Sequence, residues 1–529
     1  MIKTPESVPK TGVIQTDVCI VGAGAAGITL AREFIDQPFE VCLLESGGMS
    51  PHKRMRSLSR GQNIGQAYRP LEYTRARAFG GTTDMWGGGC EELDDLDFET
   101  RPWIPHSGWP FPKAHLQPFY ARARAICQLP SYAFDKGWER SFVAHLPING
   151  NDVTKEVLYR SRFCHFGKLY SRELFSASNI SLFLNASVTE IITNNQTKQV
   201  MKLRVSTLDG HEFFVKAQLF ILAMGGIENP RLLLASNQTQ KEGFANQHDL
   251  VGRFFMTHPE VDSGILFPSD SLQSDWYRYH RANSRYPKTT VRLSQKTQYE
   301  QALLNLNITL HATYKESLCN GVASLLYLLK EISMGRGGFV PNHFAINSQM
   351  ILKDRSSVAS YVLKNLLKLR LLTRKIDAFY LTNRLEMAPN PDSRVQLSTE
   401  RDQMGIPCVK LDWRLSPMDK LSLRRSHEIF SEQLTSSRVG RMLIQVDNDE
   451  RSWPTTLIGP CHHIGTTRMD ENPKLGVVNK NCQVHGTSNL YIAGSSVFPT
   501  SGSVAPTLTI VALALRLADH IKHTMRCTI

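Results

Sequence analysis

From Asp17 the chain runs Val-Cys-Ile-Val into Gly22, and from Glu40 it runs Val-Cys-Leu-Leu into Glu45. Short apolar runs of this kind predict buried strands over 17–22 and 40–45. Residues 25–37 between them read as a helix, so the first fifty residues predict a βαβ unit. A further apolar run, Ala217-Gln-Leu-Phe-Ile-Leu-Ala-Met224, predicts a strand ending in Gly225-Gly226. The segment 505–523 predicts a helix that opens on Pro506 and Thr507 and ends near His520. The middle, roughly 260–455, mixes strand-like runs such as 303–311 with helix-like stretches at 322–333 and 357–375, and it holds no nucleotide motif. This layout predicts an α/β fold (α+β overall). A Rossmann-like nucleotide domain is assembled from 1–259 and 456–529, and a mixed-sheet substrate domain, 260–455, is inserted between them.

Length agrees with two domains, because 529 residues exceed the ~250–300 at which a single core stops growing. The 41% hydrophobic and 21% charged residues exclude disordered, collagen-like and disulfide-stapled classes. No apolar run reaches the ~18 residues of a spanning helix. Met1 to Thr16 lacks an apolar signal core and a twin-arginine pair, and the ten cysteines are scattered without a C-x-x-C. Together these predict a reducing, cytoplasmic setting.

The net charge of +13 is unusual, and it is local. Residues 51–80 hold seven Lys/Arg against one Glu, and residues 351–375 seven against one Asp. A nucleic-acid footprint is therefore the least favoured reading, so no nucleic-acid partner is expected. An anionic cofactor, an acidic substrate or a membrane surface remain. In 357–375, Lys364, Lys368 and Lys375 share a helical face beside Val362, Leu366, Leu369 and Leu372. That pattern suits a solvated helix face first and peripheral membrane contact second.

Gly22-Ala-Gly-Ala-Ala-Gly27 is a G-x-G-x-x-G between strand and helix. Gly22, Gly24 and Gly27 permit the tight turn and close backbone approach that a pyrophosphate at a helix N-terminus requires. Glu45, closing the second strand, suits ribose hydroxyls. The acid favours an adenosine with a free 2′-hydroxyl, hence FAD or NAD.

Three further segments separate those two. They are Arg75-Ala-Arg-Ala-Phe-Gly-Gly-Thr-Thr-Asp-Met-Trp-Gly-Gly-Gly89, Asp249-Leu-Val-Gly-Arg-Phe-Phe-Met-Thr-His-Pro259, and the C-terminal stretch. The last carries His462-His-Ile-Gly-Thr-Thr-Arg-Met469, Gly476-Val-Val478 and Asn489-Leu-Tyr-Ile-Ala-Gly-Ser-Ser-Val-Phe-Pro-Thr500. In these segments the chain resembles the glucose-methanol-choline (GMC) flavin oxidoreductases over essentially its whole length. The resemblance implies FAD, with Gly80, Gly81 and Thr82 along the pyrophosphate and flavin and Val188 facing the adenine. Gly494, Ser495, Pro506 and Thr507 would approach the flavin ring. Some members attach FAD through a histidine in the glycine-rich segment. At the matching position this chain has Met85, which implies noncovalent FAD.

The resemblance also implies an alcohol-oxidising active site. The family's histidine three residues before the Gly of H-x-x-G-T falls on His462, and an imidazole suits proton abstraction near neutral pH. His463 is the lesser candidate, pointing to the opposite side of an extended segment. A second His or Asn is usual before the Pro that opens the last helix, but here Ala505 stands there. Three explanations stay open. Ser503 or another polar group stands in; one histidine suffices; or the chain is impaired or repurposed. The expected substrate is a small-molecule alcohol, a sugar or polyol among the candidates, with oxygen, a quinone or another carrier as acceptor. The rivals are a lyase or decarboxylase of the same fold, or a flavin-stabilised binding or membrane-associated protein with vestigial catalysis. His258, Glu386, His485 and Cys461 read as structural, and no spacing suggests a metal site.

Overall fold

A computed structural model describes residues 2–129, 146, 148, 150–161, 165–194, 199–269, 288–313, 320–333, 341–366, 378–449 and 452–528. The βαβ unit forms where its apolar runs place it. Strand β2 (Val13–Val21) leads into the helix Ala25–Glu33 and then into β3 (Val41–Leu44). Both strands are buried where they pair, which a parallel sheet covered on two faces demands. The helix stops short of 37 because Asp36 sits at φ +59°, outside helical space.

The first sheet has eight strands. Besides β2 and β3 they are β1 (Ile2–Lys3), β7 (Ile180–Phe183), β8 (Ser187–Thr193), β9 (Val200–Ser206), β10 (Glu212–Leu222) and β18 (Leu490–Ile492). Their order is β1-β7-β3-β2-β10-β9-β8, with β18 beside the end of β10. The pairs from β1 to β10 are parallel, whereas β8, β9 and β10 form an antiparallel meander. The C-terminal helix Thr507–Thr528 packs on the helices Ala25–Glu33 and Gln117–Ile126. Chain ends far apart in sequence thus complete one Rossmann-type layer.

The second sheet runs β17-β11-β14-β13-β12-β6-β5. Its members are β5 (Gly89–Cys90), β6 (Val153–Arg160), β11 (Glu260–Pro268), β12 (Lys288–Leu293), β13 (Leu306–Thr313), β14 (Ala378–Leu385) and β17 (Gly440–Ile444). Leu266, Val291, Ile308 and Leu381 meet Phe430 and Leu434 of the helix Pro417–Ser436 in a separate core. A third sheet joins β4 (Gly61–Asn63), β15 (Arg394–Arg401) and β16 (Pro407–Asp412). The division expected at 259 and 455 is therefore crossed by the chain. β5 and β6 come from the N-terminal stretch yet extend the second sheet, while β15 and β16, from the middle, pair with β4.

The basic stretch 357–375 falls partly on the helix Arg355–Leu366, and 367–375 lies outside the described residues. Among the described residues no helix is long and apolar enough to cross a membrane.

Candidate active site

A cavity of about 450 Å³ opens between the first and second sheets. Its first end is built from glycine. Gly22 is at φ +102°, and a β-carbon on Gly27 would fall 1.8 Å from the Gly22 carbonyl oxygen. The second glycine loop lies directly on the first. Gly80 N–H donates to the Ala23 carbonyl over 2.8 Å, and a β-carbon on Gly81 would meet the Gly24 α-carbon at 2.8 Å. Glu45 fastens this corner, accepting from Ala23 N–H at 2.9 Å and Gly47 N–H at 2.8 Å. Burial pushes its carboxyl above the usual range, against the pull of those two amides and of Arg77. A carboxylate has about four acceptor sites, so capacity for ribose hydroxyls is left.

Beside that corner lies an ion cluster that the sequence did not announce. Glu228 accepts from Arg75 at 2.7 Å, from Arg77 at 2.8 Å and from Arg231 at 3.3 Å. Arg231 also reaches Asp402 at 2.6 Å. Arg75 and Arg77 belong to the first basic window, so part of its charge is spent inside the fold. The three guanidinium groups hold the Glu228 carboxyl far below its usual range although burial opposes them.

The opposite end is built around the segment from Cys461 to Thr466. The helix Gly225–Ala235 contains Pro230, which has no N–H for the carbonyl of Gly226 one turn back. Thr466 fills the gap, its hydroxyl donating to that carbonyl at 2.7 Å. Gly226 is needed for this docking, because a β-carbon there would lie 2.4 Å from the His463 carbonyl oxygen. On the other flank, Met256 and Ile464 exchange two backbone hydrogen bonds of 2.9 Å in an antiparallel bridge. Two residues on from Met256 and two back from Ile464, His258 and His462 therefore face one another. Their Nδ1 atoms are 2.9 Å apart, and His258 Nε2 lies 3.1 Å from the Ser501 carbonyl oxygen.

The structure brings most of the expected residues to this cavity. Gly22, Gly24, Glu45, Gly81, Thr82 and Val188 line one part of it; Gly494, Ser495, Pro506 and Thr507 line another, with His462, His463 and Ala505. Gly27 and Gly80 stand behind the wall as packing points. His463 turns away from His462, as an extended segment requires, and its ring lies against Tyr68 and Phe255. Burial, with Arg75 as a second cause, lowers its pKa to about 3. Ser503 is not brought to the cavity. It is fully buried, its hydroxyl has no partner, and its carbonyl accepts from Asn307. Ala505 therefore has no stand-in from Ser503, since the backbone that puts residue 505 on the wall leaves residue 503 behind it.

Other polar groups do reach the wall. Glu260 and Arg384 are cross-strand partners on β11 and β14, ion-paired at 3.0 Å, and both line the cavity, as does Arg160 at the end of β6. Cys461 lines it too. Glu386 is buried against Arg101, and His485 holds a turn through the Asp470 carbonyl at 2.8 Å. No metal-binding cluster is found among the described residues. Three helices begin at the wall, at Ala25, Gly225 and Thr507, and their N-terminal N–H groups favour anionic groups. Glycine turns that admit no side chain, a carboxylate at the end of β3 and three helix N-termini together fit a flavin dinucleotide.

Comparison with known proteins agrees. Two family models described as GMC oxidoreductase match residues 169–260 and 389–514. Among curated relatives, "Paromamine 6'-oxidase" of Streptomyces fradiae is 24% identical over 96% of this chain and 91% of its own. "2-Methyl-1,2-propanediol dehydrogenase" of Mycolicibacterium austroafricanum is 24% identical over 97% and 96%. The crystal structure of pyridoxine 4-oxidase from "Mesorbium loti" shares the fold, with a TM-score of 0.58 at 16% identity over 96% of this chain and 99% of that one.

Proposed function

The chain belongs to the GMC oxidoreductases, FAD-dependent enzymes that oxidise alcohols, and from that premise we propose that His462 is the base that takes the substrate's hydroxyl proton. The observation that carries this is the place of His462 on the cavity wall, at the end where the helix from Thr507 begins. FAD, when bound, supplies the hydride acceptor, so a CH–OH group that loses its proton to His462 and its hydride to the flavin becomes a carbonyl. The Gly22–Gly27 turn would hold the pyrophosphate, Glu45 the ribose and Val188 the adenine. Gly81, Thr82, Gly494, Ser495, Pro506 and Thr507 would border the flavin, with Gly80 packed behind them. A thioether cannot make the histidyl linkage, so Met85 leaves FAD noncovalent, and acid precipitation should release all of it.

The substrate we favour is a sugar or polyol. Glu260, Arg384 and Arg160 give its end of the cavity the hydrogen-bonding wall that several hydroxyls need. Purified protein, free of oxygen, should lose its flavin absorbance on addition of glycerol, benzyl alcohol, D-glucose, D-fructose or paromamine. The His462→Ala variant should keep its flavin and not be bleached. A bound flavin that none of the five reduces would defeat the alcohol reading and favour non-redox chemistry, which Ala505 on the wall leaves open. Adding oxygen, a soluble quinone or a dye to the reduced enzyme then identifies the acceptor by which of them restores the absorbance.

A further inference from the structure

The contact between His258 and His462 has a definite direction. With 2.9 Å between two Nδ1 atoms, one donates and the other accepts. The second nitrogen of His258 faces the Ser501 carbonyl at 3.1 Å, and a carbonyl only accepts. His258 Nε2 therefore carries the hydrogen, and a neutral His258 presents a lone pair at Nδ1. His462 must donate from its own Nδ1, which leaves its lone pair on Nε2.

We propose that His258 is a positioning residue that fixes the tautomer of His462 and so places the base at Nε2. The proposal rests on the reading of His462 as that base. It requires His258 to stay neutral, and the surroundings ensure this. The ring is fully buried, and burial and then Arg384 lower its pKa to about 4, outweighing the Ser501 carbonyl and Glu260. Among the described residues, Arg384, Glu260 and His462 are the titratable groups that face it. A proton taken up by His462 therefore stays there, because moving it to His258 would make a buried cation near Arg384. The imidazolium keeps its Nδ1–H bond to His258, so the same contact serves before and after proton transfer.

The test uses the holoenzyme labelled with ¹⁵N-histidine, with the His462→Ala variant to identify the resonances of residue 462. The expected result is a neutral His462 protonated at Nδ1. His258→Phe keeps bulk but removes the acceptor, and His258→Gln restores an acceptor and a donor. With the fastest of the five alcohols, flavin reduction in His258→Phe should slow about 100-fold at nearly unchanged substrate affinity and flavin content. Its acid limb should move to lower pH, since protonated His462 has lost its acceptor. His258→Gln should recover most of the rate and the limb. Protonation of wild-type His462 at Nε2, or an unaltered rate and limb in His258→Phe, would overturn the proposal. If His258→Phe does not fold, the wild-type tautomer decides. If His462→Ala reduces at the wild-type rate the base assignment fails, whereas a dead His462→Ala beside an unaffected His258→Phe removes the role of His258 alone.

Discussion

Gly81 sits at φ +55° with its α-carbon against Gly24, so any side chain there adds strain and a clash with backbone that cannot move aside. Such strain is of order 1–3 kcal/mol. Gly81→Ala should therefore bind flavin roughly tenfold more weakly or worse, measured by flavin retained through gel filtration. His463 makes a different prediction. Its folded-state pKa of about 3 lies below the ~6.5 of an unfolded histidine. Between those values the unfolded chain binds a proton that the native protein does not. The stability His463 contributes is complete above about pH 6.5 and is lost as pH falls toward 3. Melting temperature should thus fall less steeply from pH 6 to pH 4 in His463→Leu than in the wild type. Ala505 makes a third. An Asn there restores a hydrogen-bonding group at the wall, and Ala505→Asn should speed flavin reduction about tenfold. An unchanged rate would mean that residue 505 does not limit catalysis.

At the scale of elements, Glu228 ties the Arg75–Arg77 stretch to the helix Gly225–Ala235. Glu228→Gln leaves Arg75, Arg77 and Arg231 facing one another in a largely buried place, and removing one partner of such a network costs about 3–5 kcal/mol. The variant should melt well below the wild type and lose flavin early in the transition, read by flavin fluorescence. Thr466→Val orphans the Gly226 carbonyl at a cost of about 1–3 kcal/mol, and it should disturb His463 without touching the first glycine loop. The βαβ unit was legible because its apolar runs, its glycines and Glu45 are local signals. The pairing of β5 and β6 with the second sheet was not, because a two-residue strand and a partner some sixty residues on carry no local signature. From the sequence His258 reads as structural for a similar reason. Its contact with His462 depends on register with a segment 204 residues away, which the Met256–Ile464 bridge sets.

For the whole molecule, the two basic windows part company. Arg75 and Arg77 of the first turn inward to Glu228, so that window contributes less to the outer field than its count suggests. The described part of the second lies on the helices Pro341–Lys353 and Arg355–Leu366, whose exposed residues include Leu352 (71% exposed) and Leu363. A solvated helix face remains the first reading of that basic stretch and contact with an anionic bilayer the second, and sedimentation with vesicles separates them. Sedimentation with phosphatidylglycerol vesicles at low salt, reversed as salt screens the contact, would mark the membrane reading. No sedimentation at any salt is the outcome expected of a solvated helix face.

β10 waits in the middle of the first sheet for β18, a strand roughly 270 residues further along. At ~5–20 residues per second, the ribosome delivers that strand about 15–50 s after β10 has emerged. Throughout that interval the substrate sheet can assemble, while the flavin layer has an open edge and an uncovered helix surface. The strand β18 and the helix Thr507–Thr528 can close the flavin layer only after that interval. A nascent chain arrested before residue 490 should be the form that chaperones hold and that free FAD cannot rescue.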